Sequence, residues 1–290
     1  WGGRNLIIET GRLAGQANGS CTVQYGDTMV LATAVASSKT REVDFLPLSV
    51  EYEEKLYAAG KIKSSRFIKR EGRPSDEAIL TGRLIDRCLR PLFSQNIRHD
   101  LQVILTVFSV DGENDSDIPA LLAASCALTI SDIPWDGPIA GARVGFIPSE
   151  NATTDTGGEW VLNPTFEART KSKLDLVVAG TPEKVLMLEA GAEEISEDLA
   201  AQGIEFGQKH LRKIIALIEE VRVKVGKPKK AAATLTVADE EAALKEEGLR
   251  AKEATQKFLE QNRELLFGEP HLSKVERRAV KDQLYAMVDA

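Results

Sequence analysis

The sequence predicts an α+β fold built from a largely antiparallel or mixed sheet with packed helices. Short β-rich runs broken by glycine fill residues 6–50, which is typical of strands joined by turns. Amphipathic helical patterns cover residues 75–90 and 196–225. Strands and helices are mixed without a strict βαβ rhythm, and this favours the α+β class. The chain has 290 residues, of which 43% are hydrophobic, so it can bury one large core and part of another.

The first predicted elements are strands and a hairpin. Three runs, LIIETG, CTVQYG and TMVLATAV, follow one another between residues 6 and 35. The sequence YGDT joins the last two runs, and Gly26 and Asp27 at its centre predict a tight turn. A further extended piece, FLPLSVEYEE, leads out of this region.

A helix is predicted to begin at Ser75, which follows Pro74 and suits the N-cap position. Asp76 and Glu77 then fall in the first turn, where the helix dipole favours acidic side chains. The helix is expected to end before Pro91, because proline cannot continue it. Its buried side is predicted to consist of Ile79, Leu84, Ile85, Cys88 and Leu89.

Further strands and helices are predicted downstream. LQVILTVFSV predicts a buried strand, and IPALLAASCALTI predicts a helix whose small residues allow close packing on a sheet. Three more strands are predicted in IAGARVGFI, KLDLVVAGT and KVLMLEAGA. A long amphipathic helix follows over residues 196–225, and its apolar side carries Ile204, Leu211, Ile214, Ile215 and Ile218.

A change of composition after residue 225 predicts a domain boundary. The glycine, proline and lysines of GKPKKAAAT are typical of a linker, which we assign to residues 226–236. Residues 237–290 carry polar, alanine-rich helical patterns, which predict part of an all-helical domain. Residues 1–225 are therefore the predicted first domain, and the chain is expected to belong to a longer protein.

Composition also argues against several classes of function. No apolar run is long enough to cross a bilayer, which favours a cytoplasmic protein without a membrane partner. Cys21, Cys88 and Cys126 are widely separated, so we expect buried, reduced thiols rather than disulfides or a metal site. The three histidines lie far apart without a triad or metal-site pattern, and we assign them no role.

One short segment departs from the acidic character of the chain. The net charge is −7, yet residues 61–98 contain ten basic and only four acidic residues. Such a local excess of positive charge indicates an anionic partner. The basic residues are Lys61, Lys63, Arg66, Lys69, Arg70, Arg73, Arg83, Arg87, Arg90 and Arg98.

The basic segment suits a single-stranded nucleic acid. On the predicted helix, Arg83, Arg87 and Arg90 follow i, i+4, i+7 spacing and share one face. The loop before the helix offers more cations and an aromatic side chain. Guanidinium groups grip phosphates, and an exposed aromatic ring can stack on an unpaired base. The predicted RNA-binding residues are Phe67, Lys69, Arg70, Arg73, Arg83, Arg87 and Arg90.

The residues alone leave a second interpretation open, in which Asp86 and Glu71 pair with neighbouring arginines on a solvated surface. A resemblance favours nucleic-acid binding. Residues 51–93 contain YAAG, RFIKREGRP and RLIDRCLRPLF, which resemble the diagnostic series of the bacterial polynucleotide phosphorylase family. Ile68 and Lys69 depart from that series, where an aromatic residue and an arginine stand. Further similar stretches are ETGRLAGQANGSCTVQYGDTMVLATAV, DIPWDGPIAGARVGFI, VLNPT, SKLDLVVAGT and VLMLEA.

The resemblance implies a fold, an assembly and a reaction. The family has two RNase PH-like α+β domains in tandem, joined by an all-helical domain, and closes as a homotrimeric ring around a channel for the RNA 3′ end. Its reaction is phosphorolysis, in which inorganic phosphate attacks the terminal phosphodiester and releases a nucleoside diphosphate, assisted by magnesium. The reverse reaction is polymerisation. A role in mRNA degradation and partners from an RNA degradosome are implied in the same way.

The resemblance also implies that the first domain is a catalytically silent copy. The active copy has a serine-rich phosphate loop, whereas residues 111–117 read DGENDSD and keep only Ser116. The active copy pairs two aspartates for the metal. Here Asp175 remains, but Arg169 stands at the partner position and Val177 replaces a lysine. No catalytic or metal-binding residue is therefore expected in this chain, and magnesium and phosphate are expected to bind a second core domain.

Two other functions remain open at this stage. A single-domain RNase PH would keep the phosphate and metal residues and would lack the helical extension. A non-catalytic RNA-binding ring subunit of an exosome-like complex would share the basic segment and would have no active copy at all. A second core domain elsewhere in the full-length protein would distinguish an enzyme from a scaffold.

Overall fold

The computed structural model describes residues 1–62, 72–149, 157–231, 254–264 and 278–283, together with residues 252 and 287. Contacts between Cα atoms divide the chain into two compact units, residues 1–236 and residues 237–290. The described residues of the second unit are mostly helical. No helix within the described ranges is long and apolar enough to span a membrane.

The first unit contains the strands and helices that position the site. The strands are β1 (Leu6–Thr10), β2 (Gly19–Tyr25), β3 (Thr28–Thr40), β4 (Leu48–Glu54), β5 (His99–Ser109), β6 (Ala140–Pro148), β7 (Gly158–Leu162), β8 (Leu174–Gly180) and β9 (Val185–Ala192). The α-helices are α1 (Asp76–Leu89), α2 (Asp117–Ile130), α3 (Phe166–Arg169) and α4 (Glu197–Val225). Two short 3-10 helices cover Leu56–Ala59 and Arg90–Leu92.

The strands form two sheets. The first sheet has the order β1-β2-β3-β5-β4, and all its pairs are antiparallel except the parallel pair of β4 and β5. That parallel pair requires a crossover connection, which α1 provides. The second sheet has the order β7-β6-β8-β9 and is antiparallel throughout. The predicted α+β class with a mixed sheet is confirmed, whereas the division into two sheets was not anticipated.

The predicted hairpin joins β2 to β3, with Tyr25 paired to Thr28. Gly26 has a φ of +62°, which favours glycine. The space is also restricted, because a Cβ at Gly26 would lie 2.8 Å from side-chain atoms of both Asn114 and Asp111. The turn therefore packs directly against the loop that leads into α2.

Helix α1 begins as predicted, since the Ser75 hydroxyl accepts a hydrogen bond from the amide of Ala78. Most of the predicted buried side is buried, but Ile79 is 44% exposed, so its assignment was wrong. Ala78 and Gly82 are buried instead, and Gly82 lies against Val50 and Tyr52 of β4. Successive helical residues are separated by about 100°, which places Ile79 on the face that carries Arg83.

Helix α2 is the centre of the unit, and all of its residues are buried. It packs so closely on β2 that a Cβ at Gly19 would lie 2.1 Å from the carbonyl oxygen of Ala127. Helix α4 packs across β6 and β8. Its predicted apolar side is mostly correct, since Leu211, Ile214, Ile215 and Ile218 are buried and Ile204 is partly buried.

The first six residues of the predicted linker, residues 226–231, lie along the C-terminal end of α2. The Lys229 Nζ atom donates to the carbonyl oxygen of Leu128 at 2.6 Å. Lys230 forms an ion pair with Asp132 at 2.9 Å. The last carbonyls of a helix lack intrahelical partners, and lysines are favourable there. These contacts hold residues 226–231 against the end of α2.

Candidate functional site

A cluster of three aspartates and two arginines lies where α2 begins. Asp115 and Asp117 come from the loop and first turn of α2, and Asp175 lies on β8. Arg143 projects from β6, and Arg169 lies at the end of α3. The cluster therefore joins four elements and carries a formal charge of −1.

Both oxygens of the Asp175 carboxylate are bonded to arginines. Its Oδ1 atom lies 2.5 Å from Nη1 of Arg143, and its Oδ2 atom lies 2.7 Å from Nη2 of Arg169. Arg169 also donates to Asp115 at 2.9 Å. The residue predicted to replace a metal-binding aspartate thus neutralises the aspartate that remains.

Arg143 is the most buried cation of the cluster, with 12% of its side chain exposed. Besides Asp175, its guanidinium donates to Asp117, whose side chain is only 6% exposed. Burial alone would lower the pKa of Arg143, but the surrounding carboxylates raise it above its ordinary value. Arg143 therefore stays charged. Burial, reinforced by Asp115, raises the pKa of Asp117 to about 6 despite the opposing guanidinium.

The acidic loop folds back on itself through Asp111. Its carboxylate accepts hydrogen bonds from the amides of Glu113 and Asn114, at 2.9 Å and 2.8 Å, and from the amide of Asp27 in the hairpin at 3.2 Å. Partial burial would raise its pKa, but hydrogen bonds from Asn114, Glu113 and Asp27 lower it to about 2. Asp111 thus holds the loop and the hairpin turn together.

The one serine of this loop is bonded within the protein. The hydroxyl oxygens of Ser116 and Tyr52 lie 2.6 Å apart. The Ser116 side chain does not cap α2, although it occupies the N-cap position. Val177, which the resemblance predicted to stand in place of a lysine, is a buried core residue of β8. Neither residue is placed to hold a phosphate as a charged partner.

The cluster does not fit a divalent cation. Magnesium needs carboxylate oxygens that are free to coordinate it. Here Asp115, Asp117 and Asp175 each accept from a guanidinium, and two arginine charges would repel the ion. Within the described residues, no group of three or more His, Cys, Asp or Glu side chains could hold a metal ion.

The predicted RNA-binding residues divide between described and undescribed parts of the chain. Phe67, Lys69 and Arg70 lie outside the described residues. Arg73 and Arg83 are exposed, and neither forms an ion pair with another described residue. These two guanidinium groups are therefore available to an anionic partner.

The other two predicted arginines of α1 have partners. Arg87 is exposed and forms an ion pair with Glu189 on β9. Arg90 forms two hydrogen bonds of 2.8 Å to Asp86 and also donates to the carbonyl oxygens of Leu46 and Leu48. Arg90 thus ties α1 to the segment that precedes and begins β4, and its predicted contact with RNA stays a prediction.

Sequence reasoning did not find Arg143, although it is central to the cluster. Its signal was present, because a single arginine interrupts the otherwise apolar run IAGARVGFI. Charged residues are almost never buried unless they are paired. An arginine in a predicted buried strand therefore indicates nearby carboxylates, and Asp117 and Asp175 were the available candidates.

This fold defines an RNase PH-like α+β domain. Residues 2–134 match the sequence model of the 3′ exoribonuclease family, domain 1, and residues 137–210 match that of domain 2 of the same family. Together these matches cover more than half of the chain. The chain therefore belongs to the 3′ exoribonuclease family.

Similar proteins include polyribonucleotide nucleotidyltransferases of bacteria. That of Geobacillus kaustophilus (strain HTA426) is 52% identical over 227 residues, which are 78% of this chain and 30% of that protein. That of Halalkalibacterium halodurans is 51% identical over 229 residues, which are 79% of this chain and 31% of that protein. The chain thus spans about a third of the length of these relatives.

A solved structure shows the same fold. The crystal structure of rice (Oryza sativa) Rrp46 superposes with a TM-score of 0.58, and the match covers 74% of this chain and 93% of that one. The two sequences are 18% identical, so this likeness supports the RNase PH-like fold alone.

Proposed function

We propose that this chain is the RNA-guiding N-terminal part of a phosphate-dependent 3′-to-5′ exoribonuclease that acts in mRNA degradation. In this reaction an oxygen of inorganic phosphate bonds to the terminal phosphorus, the bond to the 3′ oxygen of the shortened RNA breaks, and a nucleoside diphosphate leaves. The shortened strand takes up the proton, and the reverse reaction polymerises RNA. Family membership and the likeness to polyribonucleotide nucleotidyltransferases support the proposal.

The proposed location of the active site outside this domain rests on the cluster of three aspartates and two arginines. Phosphorolysis requires a pocket that attracts phosphate and carboxylates that hold a magnesium ion. Here Arg143 and Arg169 already bind all three carboxylates. We therefore propose that residues 1–225 are a catalytically silent RNase PH-like copy and that residues 237–290 begin an all-helical domain. Magnesium and phosphate would bind a second core domain elsewhere in the protein.

The proposed RNA-guiding role rests on the charge of the α1 region. The chain carries a net charge of −7, which disfavours non-specific contact with RNA over most of its surface. Arg73 and Arg83 offer exposed guanidinium groups without a competing carboxylate among the described residues. Such contacts hold the phosphate backbone with little regard for base identity.

The assembly and the setting belong to the same proposal. We propose a homotrimeric ring in the cytoplasm, with single-stranded RNA as substrate and RNA-degradosome components as partners. The same cluster would also suit a non-catalytic ring subunit of an exosome-like complex, which would have no active copy in any part. A single-domain RNase PH fits less well, because it needs the carboxylates that are occupied here.

The isolated chain tests the location of the active site. Residues 1–290 incubated with RNA, phosphate and magnesium are expected to release no nucleoside diphosphate, because the cluster cannot hold the metal. The full-length protein, measured alongside, should release it; if the full-length protein is inactive, the ring-subunit alternative is favoured. Release by the isolated chain that disappears in the Asp175→Asn variant would place the active site in this domain and contradict the proposal.

A further inference from the structure

A half-open cavity of about 660 Å³ lies beside the parallel strand β4 and the start of α1. This volume falls within the range of small-molecule sites. The apolar part of its wall includes Leu56, Ala58, Val107 and Val110. Apolar walls of this kind suit a flat ring that is poorly hydrated on its faces, such as a nucleobase.

Two hydroxyl groups on the cavity wall leave one donor for a ligand. Tyr52 and Ser116 both line the cavity, and their hydroxyl oxygens lie 2.6 Å apart. The two residues together have two O–H groups, but only one of these groups can donate in the hydrogen bond between them. Among the described residues, no acceptor is placed for the second O–H group. A ligand with a hydrogen-bond acceptor would satisfy it.

The charged groups of the cavity have both signs. Lys61 and Arg73 line it, are exposed, and form no ion pair with another described residue. Glu53 is paired with Lys55 at 2.9 Å. Glu54 is held by a hydrogen bond of 2.9 Å from the Ser75 hydroxyl, which leaves its carboxylate otherwise free to accept.

The combination of two cations and a carboxylate discriminates between classes of ligand. A small polyanion such as inorganic phosphate would be attracted by the two cations but repelled by Glu54. A nucleotide satisfies all three kinds of group, because its phosphate suits guanidinium and ammonium groups and its ribose hydroxyls can donate to a carboxylate. Its base suits the apolar walls and can accept from the hydroxyl pair.

We propose that this cavity binds one ribonucleotide, with its phosphate at Arg73 and Lys61 and its ribose hydroxyls directed to Glu54. The nucleotide is either one residue of an RNA strand or a free nucleotide, and the chemistry is the same. The site deepens the proposed function, since it gives the silent copy a nucleotide-binding role in place of catalysis.

Calorimetric titration of residues 1–290 with adenosine 5′-monophosphate (AMP) tests the site. The Val110→Trp variant fills the cavity from its rim and should weaken AMP binding by about tenfold or more. Val223→Trp changes an exposed valine of α4 and serves as the matched control, with unchanged binding. The 2′-deoxy analogue of AMP lacks one ribose hydroxyl and should bind about three to ten times more weakly than AMP.

A second variant keeps the test independent of the tryptophan substitution. Arg73→Gln should weaken AMP binding and leave the binding of adenosine, which has no phosphate, unchanged. Equal affinities for AMP and inorganic phosphate, or AMP binding that neither variant alters, would overturn the proposal. Circular dichroism of each variant confirms that it is folded.

A further titration with oligoadenylate distinguishes an RNA strand from a free nucleotide as the ligand. It also distinguishes failure of the cavity proposal from failure of the RNA-guiding proposal. Competition between oligoadenylate and AMP would assign the site to the RNA strand, whereas simultaneous binding would assign it to free nucleotides. RNA binding without any AMP binding would overturn the cavity proposal and leave the RNA-guiding function standing. Failure of the chain to bind RNA at all would instead contradict the RNA-guiding function.

Discussion

The arginines of this domain are used in two opposite ways. Arg143 and Arg169 point into a cluster of carboxylates, and all three of those carboxylates accept from them. Arg73, which precedes α1, and Arg83, on the exposed face of α1, have no ionic partner among the described residues. The same side chain therefore serves as an internal counter-charge in one region and as an available cation in the other.

The difference shows how a cluster of carboxylates can be committed to ion pairs within the fold. Removing a metal from a carboxylate site would leave unpaired buried charges, which cost several kcal/mol. Arg143 and Arg169 offset that cost from within the chain. Because their geometry holds α2, α3, β6 and β8 together, the cluster contributes to folding where an active copy would use it for catalysis.

The largest expected effect comes from Arg143. The Arg143→Met variant leaves Asp117 without its main partner and takes one of two partners from Asp175. Loss of one member of a buried ion pair typically costs about 3–5 kcal/mol of unfolding free energy. Urea denaturation of the first unit should show a loss of this size.

The exposed Arg83 offers the matched control for that experiment. Arg83→Met should change the unfolding free energy by less than about 0.5 kcal/mol, because exposed side chains without partners contribute little. Similar losses in both variants would mean that the cluster is no more important to folding than the surface, and the comparison would fail.

The second effect is the pH dependence of stability. The pKa of Asp117 is about 6 in the folded protein, against about 3.9 for an ordinary aspartate. The folded state therefore binds this proton more tightly, so its stabilising effect is present at low pH and is lost as pH rises through 6. The expected contribution is on the order of 1–3 kcal/mol, and Asp117→Asn should remove it.

The direction in which stability changes with pH distinguishes Asp117 from its neighbour Asp111. The pKa of Asp111 is lowered to about 2, so its contribution is present above pH 4 and is lost as pH falls towards 2. Denaturation measured from pH 2 to pH 8 in the Asp117→Asn and Asp111→Asn variants separates the two. A slope that persists unchanged in Asp117→Asn would show that Asp117 does not titrate in this range.

Local signals in the sequence predicted the local structure well. Gly26 and Asp27 predicted the hairpin, and Ser75 predicted the start of α1, because turns and caps depend on a few adjacent residues. The exposure of Ile79 was missed, since it depends on which residues of α1 face β4. Strand β7 and helix α3 were also missed, because each has five residues or fewer and too little periodicity to detect.

Long-range pairing in the site was harder to predict. The sequence placed Arg169 and Asp175 at positions of interest, but Arg169 also donates to Asp115, which lies 54 residues before it. The central position of Arg143 depends on the register of β6 against β8, which places Gly145 beside Asp175. Such a register depends on how the buried faces of both strands match, which neither strand shows by itself.

The smallest expected effect concerns the exposed arginines and tests whether they bind RNA. If Arg73 and Arg83 each contact one RNA phosphate, the double alanine variant should weaken single-stranded RNA binding about equally for different sequences. Each phosphate contact contributes about 0.7 to the slope of log affinity against log salt for single strands, so the slope should flatten by about 1.4.

Arg87→Ala is the internal control. Its guanidinium is already paired with Glu189, so its removal should change the slope less than removal of Arg83 alone. An unchanged slope in the folded double variant would show that these two arginines serve another interface, and availability to solvent would then be a poor guide to RNA contact in this domain.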